Sequence, residues 1–386
     1  MPVQVTVLSK IMQHVPWGAL DRAAAECGAE RFVRDFSLRS QLAAMLVAQL
    51  SGARSLREIE SIMAANATAL ANVGVETVSR STLAEANGRR PAELFEAMVP
   101  PLLGSLPRKQ RREAKDVVRL IDSTAVYPGA GAADWAHFEK DLVGAKIHVV
   151  YDPTAQVPVF FQVTSGNTND ITVAKTAVQI EAGATYVFDL GYYDFKFWAD
   201  LHLAGCTLVT RLKRNTPVTE IERRHPPPGT NILSDRIVTL PKRLARSRKN
   251  PFSHNGREIV VRIQTGKTIA LFTNDLDSPA EKIADLYKAR WKIELFFRWI
   301  KQNLRIRKFL GTSKNAVRLQ TATAMLAYII LHTVHIKTGF TKSIQIFTAI
   351  VRQNLFHRTT IRQIIDRLTI NTENYQDERQ LKMVFT

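Results

Sequence analysis

Three acidic residues stand where this chain could do metal chemistry. Asp122 closes the apolar run VVRLIDST, Asp189 closes TYVFDLGYY, and Glu294 is the lone acid in the cation-crowded stretch YKARWKIELFFRWIKQN, Tyr287 to Asn303. Carboxylates that converge repel one another and rise in pKa unless positive charge joins them. Mg2+ takes oxygen ligands and links carboxylates to phosphate oxygens. Two such ions about 3.5 to 4 Å apart stabilise both the attacking and the leaving oxygen of a phosphoryl transfer. Singly, each acid has a plainer use. Asp122 before Ser123 and Thr124 could form an Asx turn, and Asp189 before Leu190 and Gly191 could close a strand-to-helix loop. Glu294 could be an i,i+4 surface partner of Arg290 or Arg298, worth about 0.3 to 0.5 kcal/mol. Taken together, two strand-end aspartates, a helical glutamate and many phosphate-binding cations are what a metal-dependent nuclease requires.

The elements that must position these acids follow from periodicity. At about 100° per residue, Tyr287, Arg290, Glu294 and Lys301 share an arc of about 60° on one continuous helix. Ile293, Phe296, Phe297, Ile300 and Leu304 fill the adjoining arc, so the polar face borders the buried one. From residue 117 the runs VVRLIDSTAVY, AKIHVVYDP and VPVFFQVTSG read as a strand meander, with a turn at Asp152-Pro153-Thr154-Ala155. DITVAKTAVQIEAG (170 to 183) reads as helix, ATYVFDLGYYD as strand, DFKFWADLHLAG as helix and CTLVTRLKR as strand. If the first and fourth strands are parallel neighbours, Asp122 and Asp189 emerge at the same carboxyl edge, and Glu294 reaches it from a helix alongside. The expected fold class is α/β. Residues 117–214 and 277–312 form the core, 215–276 a β-rich insertion, 1–105 an all-helical N-terminal domain and 313–386 a helical C-terminal region.

Bulk properties narrow the partner. The 386 residues carry 53 Lys and Arg against 35 Asp and Glu, a net charge of +18 with a pI near 10, which favours a polyanion. Nucleic acid leads. Apolar runs such as AMLAYIILHTV are too short to span a membrane, and MPVQVTVLSKIMQHVPWG does not resemble a signal peptide. Cys27 and Cys206, far apart and outside any CxxC, point to a reduced cytoplasmic interior rather than a disulfide or zinc framework. SLREIESIMAAN and VSRSTLAEANGRRP have helix-turn-helix spacing, with Ser81 or Thr82 placed to cap a helix starting at Leu83; reading DNA and plain packing are equally open. RKQRREAK (108 to 115) is expected to be an exposed basic linker.

These residues resemble the DDE transposases of bacterial insertion sequences, specifically the insertion-sequence-four group. Its last catalytic helix carries Tyr, two residues, Arg, three residues, Glu, six residues, Lys, and Tyr287, Arg290, Glu294 and Lys301 match every interval. LIDST and FDLGYYD resemble its first and second acid motifs, and the helical front resembles a module often fused to these enzymes. The resemblance implies an RNase H-like core whose Asp122, Asp189 and Glu294 bind two Mg2+ ions, with Mn2+ able to substitute. It implies DNA contacts by Tyr287, Arg290, Arg298, Lys301 and Arg305, double-stranded DNA partners at the element ends and the target, and a homodimer assembled on DNA. The alternatives are a nuclease of the same fold that does not join, and a silent DNA-binding regulator.

One departure concerns base stacking. No Trp lies between Trp198 and Trp291, so Phe252, His254 or His225 would have to stack a flipped base in place of an insertion Trp. Leu190 after Asp189 stands where the family often has Arg. The plainer expectations are an N-cap role for Asp170 rather than a place near metal, and a packed or surface His148, with DNA contact by Lys146 and His148 the lesser reading. Trp291 and Trp299 are expected to pack, with base stacking the alternative. His332 and His335 lie on an apolar helix, and KRLARSRK (242 to 249) is a solvated charge run or a phosphate groove.

Overall fold

The computed structural model describes residues 5–28, 36–106, 117–139, 142–226, 228–243, 249–304 and 306–367. Packing divides the chain into two units: Met1–Leu106 with Tyr127–Trp135 and Trp299–Thr386, and Pro107–Val126 with Ala136–Arg298.

The first unit is helical. Its front contributes α1 (Val7–Met12), α2 (Trp17–Glu26), α3 (Leu38–Ser51), α4 (Leu56–Ala65), α5 (Ala67–Ala71), α6 (Arg80–Arg89), α7 (Glu93–Glu96) and α8 (Val99–Gly104). The cap of α6 is Ser79, whose side chain accepts from Thr82 N–H, so the helix starts at Arg80 and not at Leu83 as the sequence suggested. Buried Leu83, Ala86, Asn87 and Arg90 mark its inner face, and Gln41 joins Asn87 and Arg90 there by hydrogen bonds.

In the second unit the chain runs through strands β1 (Val118–Val126), β2 (His137–Glu139), β3 (Leu142–Val143), β4 (Ala145–Asp152) and β5 (Val157–Ser165). These are followed by α9 (Asp170–Thr176), β6 (Thr185–Val187), α10 (Phe195–Leu203) and β7 (Thr207–Arg211). Then come β8 (Thr219–Arg224), β9 (Ile232–Thr239), β10 (Asn255–Arg262), β11 (Thr268–Thr273), α11 (Ala280–Ala289) and α12 (Trp291–Asn303), the last crossing into the helical unit. Nine strands form one sheet in the order β5-β4-β1-β6-β7-β11-β10-β9-β8, while β2 and β3 pair separately. Of the five core strands only β4 opposes the rest, since β1, β6 and β7 pair in parallel and β4 is antiparallel to both β1 and β5. This is the mixed α/β architecture expected for the core. The insertion strands continue the same sheet through β11 on β7.

Three expectations need correction. Asp122 lies in the middle of β1, because antiparallel pairing with β4 carries that strand on to Val126. α9 ends at Thr176 instead of running to residue 183: Val178 and Ile180 beyond it pack against the core cluster, and Glu181 pairs with Arg119 at 2.8 Å. The helix expected to run unbroken from Tyr287 is two helices that meet at Arg290, where Arg290 N–H bonds Tyr287 O and Ile293 N–H bonds Arg290 O in tighter i→i+3 fashion.

Back in the helical unit, α13 (Lys314–Thr338) and α14 (Ile344–Asn354) pack with the front helices. Asn315 donates to the carbonyls of Asn87 and Arg90 and accepts from Ala92 N–H, and Arg318 pairs with Glu93 and Glu96. α13 corrects another expectation. Its 25 residues are long and apolar enough to cross a membrane, yet 89% of its most apolar window is buried inside the protein.

Candidate active site

Sheet register brings the two aspartates level. β1 and β6 pair in parallel up to Leu120↔Val187, so Asp122 and Asp189 each lie two residues beyond the last rung, where the strands part. Alternation along β1 sends neighbouring side chains to opposite faces. Leu120 and Asp122 share the face on which Tyr151, opposite Leu120 on β4, meets Phe296 of α12 at 5.0 Å between ring centroids. Ile121 and Ser123 look the other way, where Ile121 joins the buried cluster of Ala174, Phe188, Tyr192 and Trp198. Only Asp189 has its expected local turn role; Asp122, inside β1, bonds the adjacent amide rather than the one two residues on and makes no Asx turn. Asp122 Oδ1 accepts from Ser123 N–H at 2.8 Å, and Asp189 caps the 3-10 turn Leu190–Tyr192 by accepting from Gly191 N–H at 2.8 Å.

Glu294 enters from the first turn of α12 and meets Asp122 through Arg290. The guanidinium forks, with Nη2 2.6 Å from Glu294 Oε1 and Nη1 3.4 Å from Asp122 Oδ2, and it lies 5.8 Å from the centre of the Tyr287 ring. The expected i,i+4 pair therefore exists, but half of its cation serves a residue on the sheet. Asp122 remains short of positive charge. Burial pushes its carboxyl up to about 7, Asp189 and Glu294 push the same way, and the Ser123 amide and Arg290 offset only part of it. Burial opposes the charge on Arg290, yet Tyr287, Glu294 and Asp122 outweigh it and raise the pKa. Tyr287 is raised by burial against the pull of Arg290 and Arg211, and it also feels Asp189, so it belongs to the same cluster.

This donor set fits a hard divalent cation: every candidate ligand is a carboxylate oxygen, and Asp122 is under-neutralised by what surrounds it. Among the described residues no three acidic, His or Cys side chains converge closely enough to hold an ion as they stand. Arg290 lies between two of the acids.

The other expected contacts separate. Arg298 is exposed on α12. Lys301 lies further along the same helix, in the part belonging to the helical unit, where burial and then Arg307 lower its pKa. Arg305 lies outside the described residues, as do RKQRREAK and the middle of KRLARSRK. Trp299 packs, 4% exposed, but Trp291 is 51% exposed, on a solvent face with Leu295, against the packing role expected of it. Phe252 is buried in the core cluster and cannot stack a base, whereas His254 is exposed and rests on His202 with ring centroids 4.1 Å apart. His332 is buried on α13, and burial followed by His335 lowers it to about 4.

Of the residues near the acids, one was not foreseen. Arg211 ends β7, acts on Tyr287, and has a buried Nε that finds no hydrogen-bond partner among the described residues. A cation ending the strand beside β6 was its only trace in the sequence. Asp170 is not the cap of α9: Asn169 is. Its carboxylate instead accepts from Ser123 Oγ at 2.9 Å and Lys146 Nζ at 3.1 Å. His148 is buried and bonds Thr164 Oγ1 at 2.8 Å.

Comparison with known proteins bears on this geometry. The family model described as Transposase DDE domain matches residues 113–330, and one described as Domain of unknown function (DUF4372) matches residues 3–76. A putative transposase of Sinorhizobium fredii, y4zB, is 41% identical over 73% of this chain and 79% of its own length. A probable transposase for insertion sequence element IS5377 of Geobacillus stearothermophilus is 27% identical over 69% of this chain and 70% of its own. A solved piggyBac transposase synaptic complex with hairpin DNA aligns over 95% of this chain and 80% of that one, with a TM-score of 0.48 and 10% identity, a likeness too loose to argue from.

Proposed function

The chain belongs to the Transposase DDE domain family of DNA-cleaving, strand-transferring enzymes, and from that premise we propose that Asp122, Asp189 and Glu294 are its metal-holding catalytic acids. The observation that carries this is geometric: Asp122, half-buried, lies level with Asp189 just beyond the last β1–β6 rung, and Arg290 joins it to Glu294. Two Mg2+ ions, or Mn2+ in their place, would activate water or a 3′-hydroxyl for attack and stabilise the departing oxygen.

The chain's own residues do the rest. Arg290, now shared between two carboxylates, is placed to turn its planar fork to a DNA phosphate, a geometry that matches guanidinium donors to paired oxygens. Tyr287 and Arg211 belong to the same cluster, and Arg298, Lys301 and Arg305 are further proposed phosphate contacts. Tyr287, Arg290, Glu294 and Lys301 carry the signature of the insertion-sequence-four group. The substrates are the double-stranded ends of a mobile element and a target duplex, held by two copies of the chain on DNA in the bacterial cytoplasm. Trp291, exposed next to Arg290, is placed to stack a base of the cleaved strand.

The test combines the purified protein, Mg2+, end-sequence DNA and a target plasmid. The reading expects free 3′-hydroxyl ends and joined products, with Asp122→Asn cutting at least about 10³-fold more slowly while holding DNA nearly as tightly. Cleavage at the normal rate by Asp122→Asn, Asp189→Asn or Glu294→Gln overturns it.

A further inference from the structure

We propose that Arg290 couples metal binding to DNA binding: in the free chain its guanidinium occupies carboxylate oxygens that a divalent cation needs, and a DNA phosphate draws it away. The inference deepens the metal-dependent reading above and rests on it. Arg290 stands where α11 meets α12, and its two terminal nitrogens serve two different elements. Nη1 faces Asp122 Oδ2 on β1 at 3.4 Å, and Nη2 lies 2.6 Å from Glu294 Oε1, one turn along α12. The other oxygen of Asp122 already accepts from the Ser123 amide. Arg290 thus holds the Asp122 oxygen that no backbone amide takes and, with the same fork, an oxygen of the glutamate.

An ion and the guanidinium exclude each other on two grounds. A guanidinium N–H occupies the lone pair it faces, so an ion reaches that oxygen only after the contact breaks. Charge acts in the same direction. The side chains of Arg290, Asp122 and Glu294 are 16%, 18% and 30% exposed, so water screens poorly between them and a divalent ion placed beside the guanidinium is repelled. Among the described residues no other cation is paired with either acid. A phosphate presents paired oxygens to the same planar fork, and once Arg290 turns to it both obstacles go. Linkage makes the effect mutual: metal must tighten DNA by the factor by which DNA tightens metal. A chain without DNA is therefore poorly loaded, and its cutting centre is armed on the substrate.

The full chain is titrated calorimetrically with Mn2+ in the absence of DNA. Arg290→Gln, which keeps a polar side chain and removes the charge, is expected to bind Mn2+ about tenfold more tightly than the parent. An Arg290 that merely holds the acids in place predicts the opposite, weaker Mn2+ on its loss. The parent carries the test if Arg290→Gln does not fold. With a pre-cut end duplex, which leaves no bond to hydrolyse, its Mn2+ affinity is expected to rise about tenfold, after subtraction of the metal taken up by Asp122→Asn with that duplex. Arg290→Gln is expected to show no such gain. If Asp122→Asn loses Mn2+ but Arg290→Gln binds it no more tightly than the parent, or the duplex leaves the parent's affinity unchanged, the coupling falls and the metal-dependent reading stands. Mn2+ that binds neither the parent nor Arg290→Gln, or binds Asp122→Asn as well as the parent, overturns that reading and this inference together.

Discussion

Asp122 shows how one residue sets stability against chemistry. Its folded carboxyl is raised to about 7 from an ordinary 3.8, so the folded protein holds a proton that the unfolded chain has already released. For an acid raised in the folded state, the stabilisation is full below about 3.8 and disappears as pH climbs through 7. Metal-free protein in a chelator should therefore lose thermal stability between pH 5 and pH 8 in proportion to that group. Asp122→Asn should flatten the decline, being more stable than the parent at pH 8 by on the order of 1 to 3 kcal/mol. Parallel melting curves for the two proteins across that range would refute the assignment of the shift. Trp291 makes the complementary case. Half-exposed, it should cost under about 0.5 kcal/mol of stability when changed to Ala. End-DNA binding should nonetheless weaken by about 1 to 3 kcal/mol if the ring stacks a base, read by a fluorescent purine next to the cleavage site. In the sequence the three acids pointed to a common place only as a conjunction, two strand-end aspartates with one glutamate alone among cations, since singly each has a plainer use. Arg211 was not legible there, since its meaning depends on which strands lie side by side.

Elements reveal where local pattern and tertiary demand part company. The β-branched runs of β1, β4 and β5 announced themselves, as did the strand pairing that sets Asp122 level with Asp189 once β6 was taken as parallel to β1. β8 did not, because TEIERR reads as polar surface; it is an edge strand whose Glu220 and Arg223, and Glu222 and Arg224, pair along its exposed side. The helical spacing of AVQIEAG gave way to tertiary packing, with Val178 and Ile180 against the core cluster and Arg119 holding both Glu181 and Asp152, at 2.8 and 2.7 Å. Caps behave in the same way. Ser79, Ser81 and Thr82 are all chemically able to cap, and only backbone geometry chose Ser79, with its extended φ and its bond to Thr82 N–H. Ser79→Ala should accordingly destabilise the helical unit by about 1 kcal/mol in denaturant melts, while Ser81→Ala should cost clearly less. The reverse order would mean that α6 starts where the sequence alone suggested.

Across the whole chain, the two ends depend on each other. α13 has nearly every residue from Ala316 to Val334 buried, and Asn315 and Arg318 tie it to the chain around α6 and α7. A fragment of residues 5–106 without α13 should show no cooperative thermal transition by circular dichroism, because the apolar face of α3 would lose its cover. A sharp transition in that fragment would show that the front helices fold alone. Charge works at the same scale but through solvent. A net charge of +18 makes nucleic-acid binding a counterion-release process, so the logarithm of affinity should fall linearly with the logarithm of salt, by about 0.9 for each duplex phosphate neutralised. Arg298 is exposed, forms no ion pair among the described residues, and lies one turn beyond Glu294. Arg298→Ala should leave the melting temperature unchanged and reduce that slope by about one, equally for end-sequence and random duplex, because a phosphate contact carries no base information. Asp122→Asn should leave the slope alone. If Arg298→Ala instead weakened only end-sequence binding, the residue would be reading bases, and the cations of α12 would have to be divided between phosphate and groove.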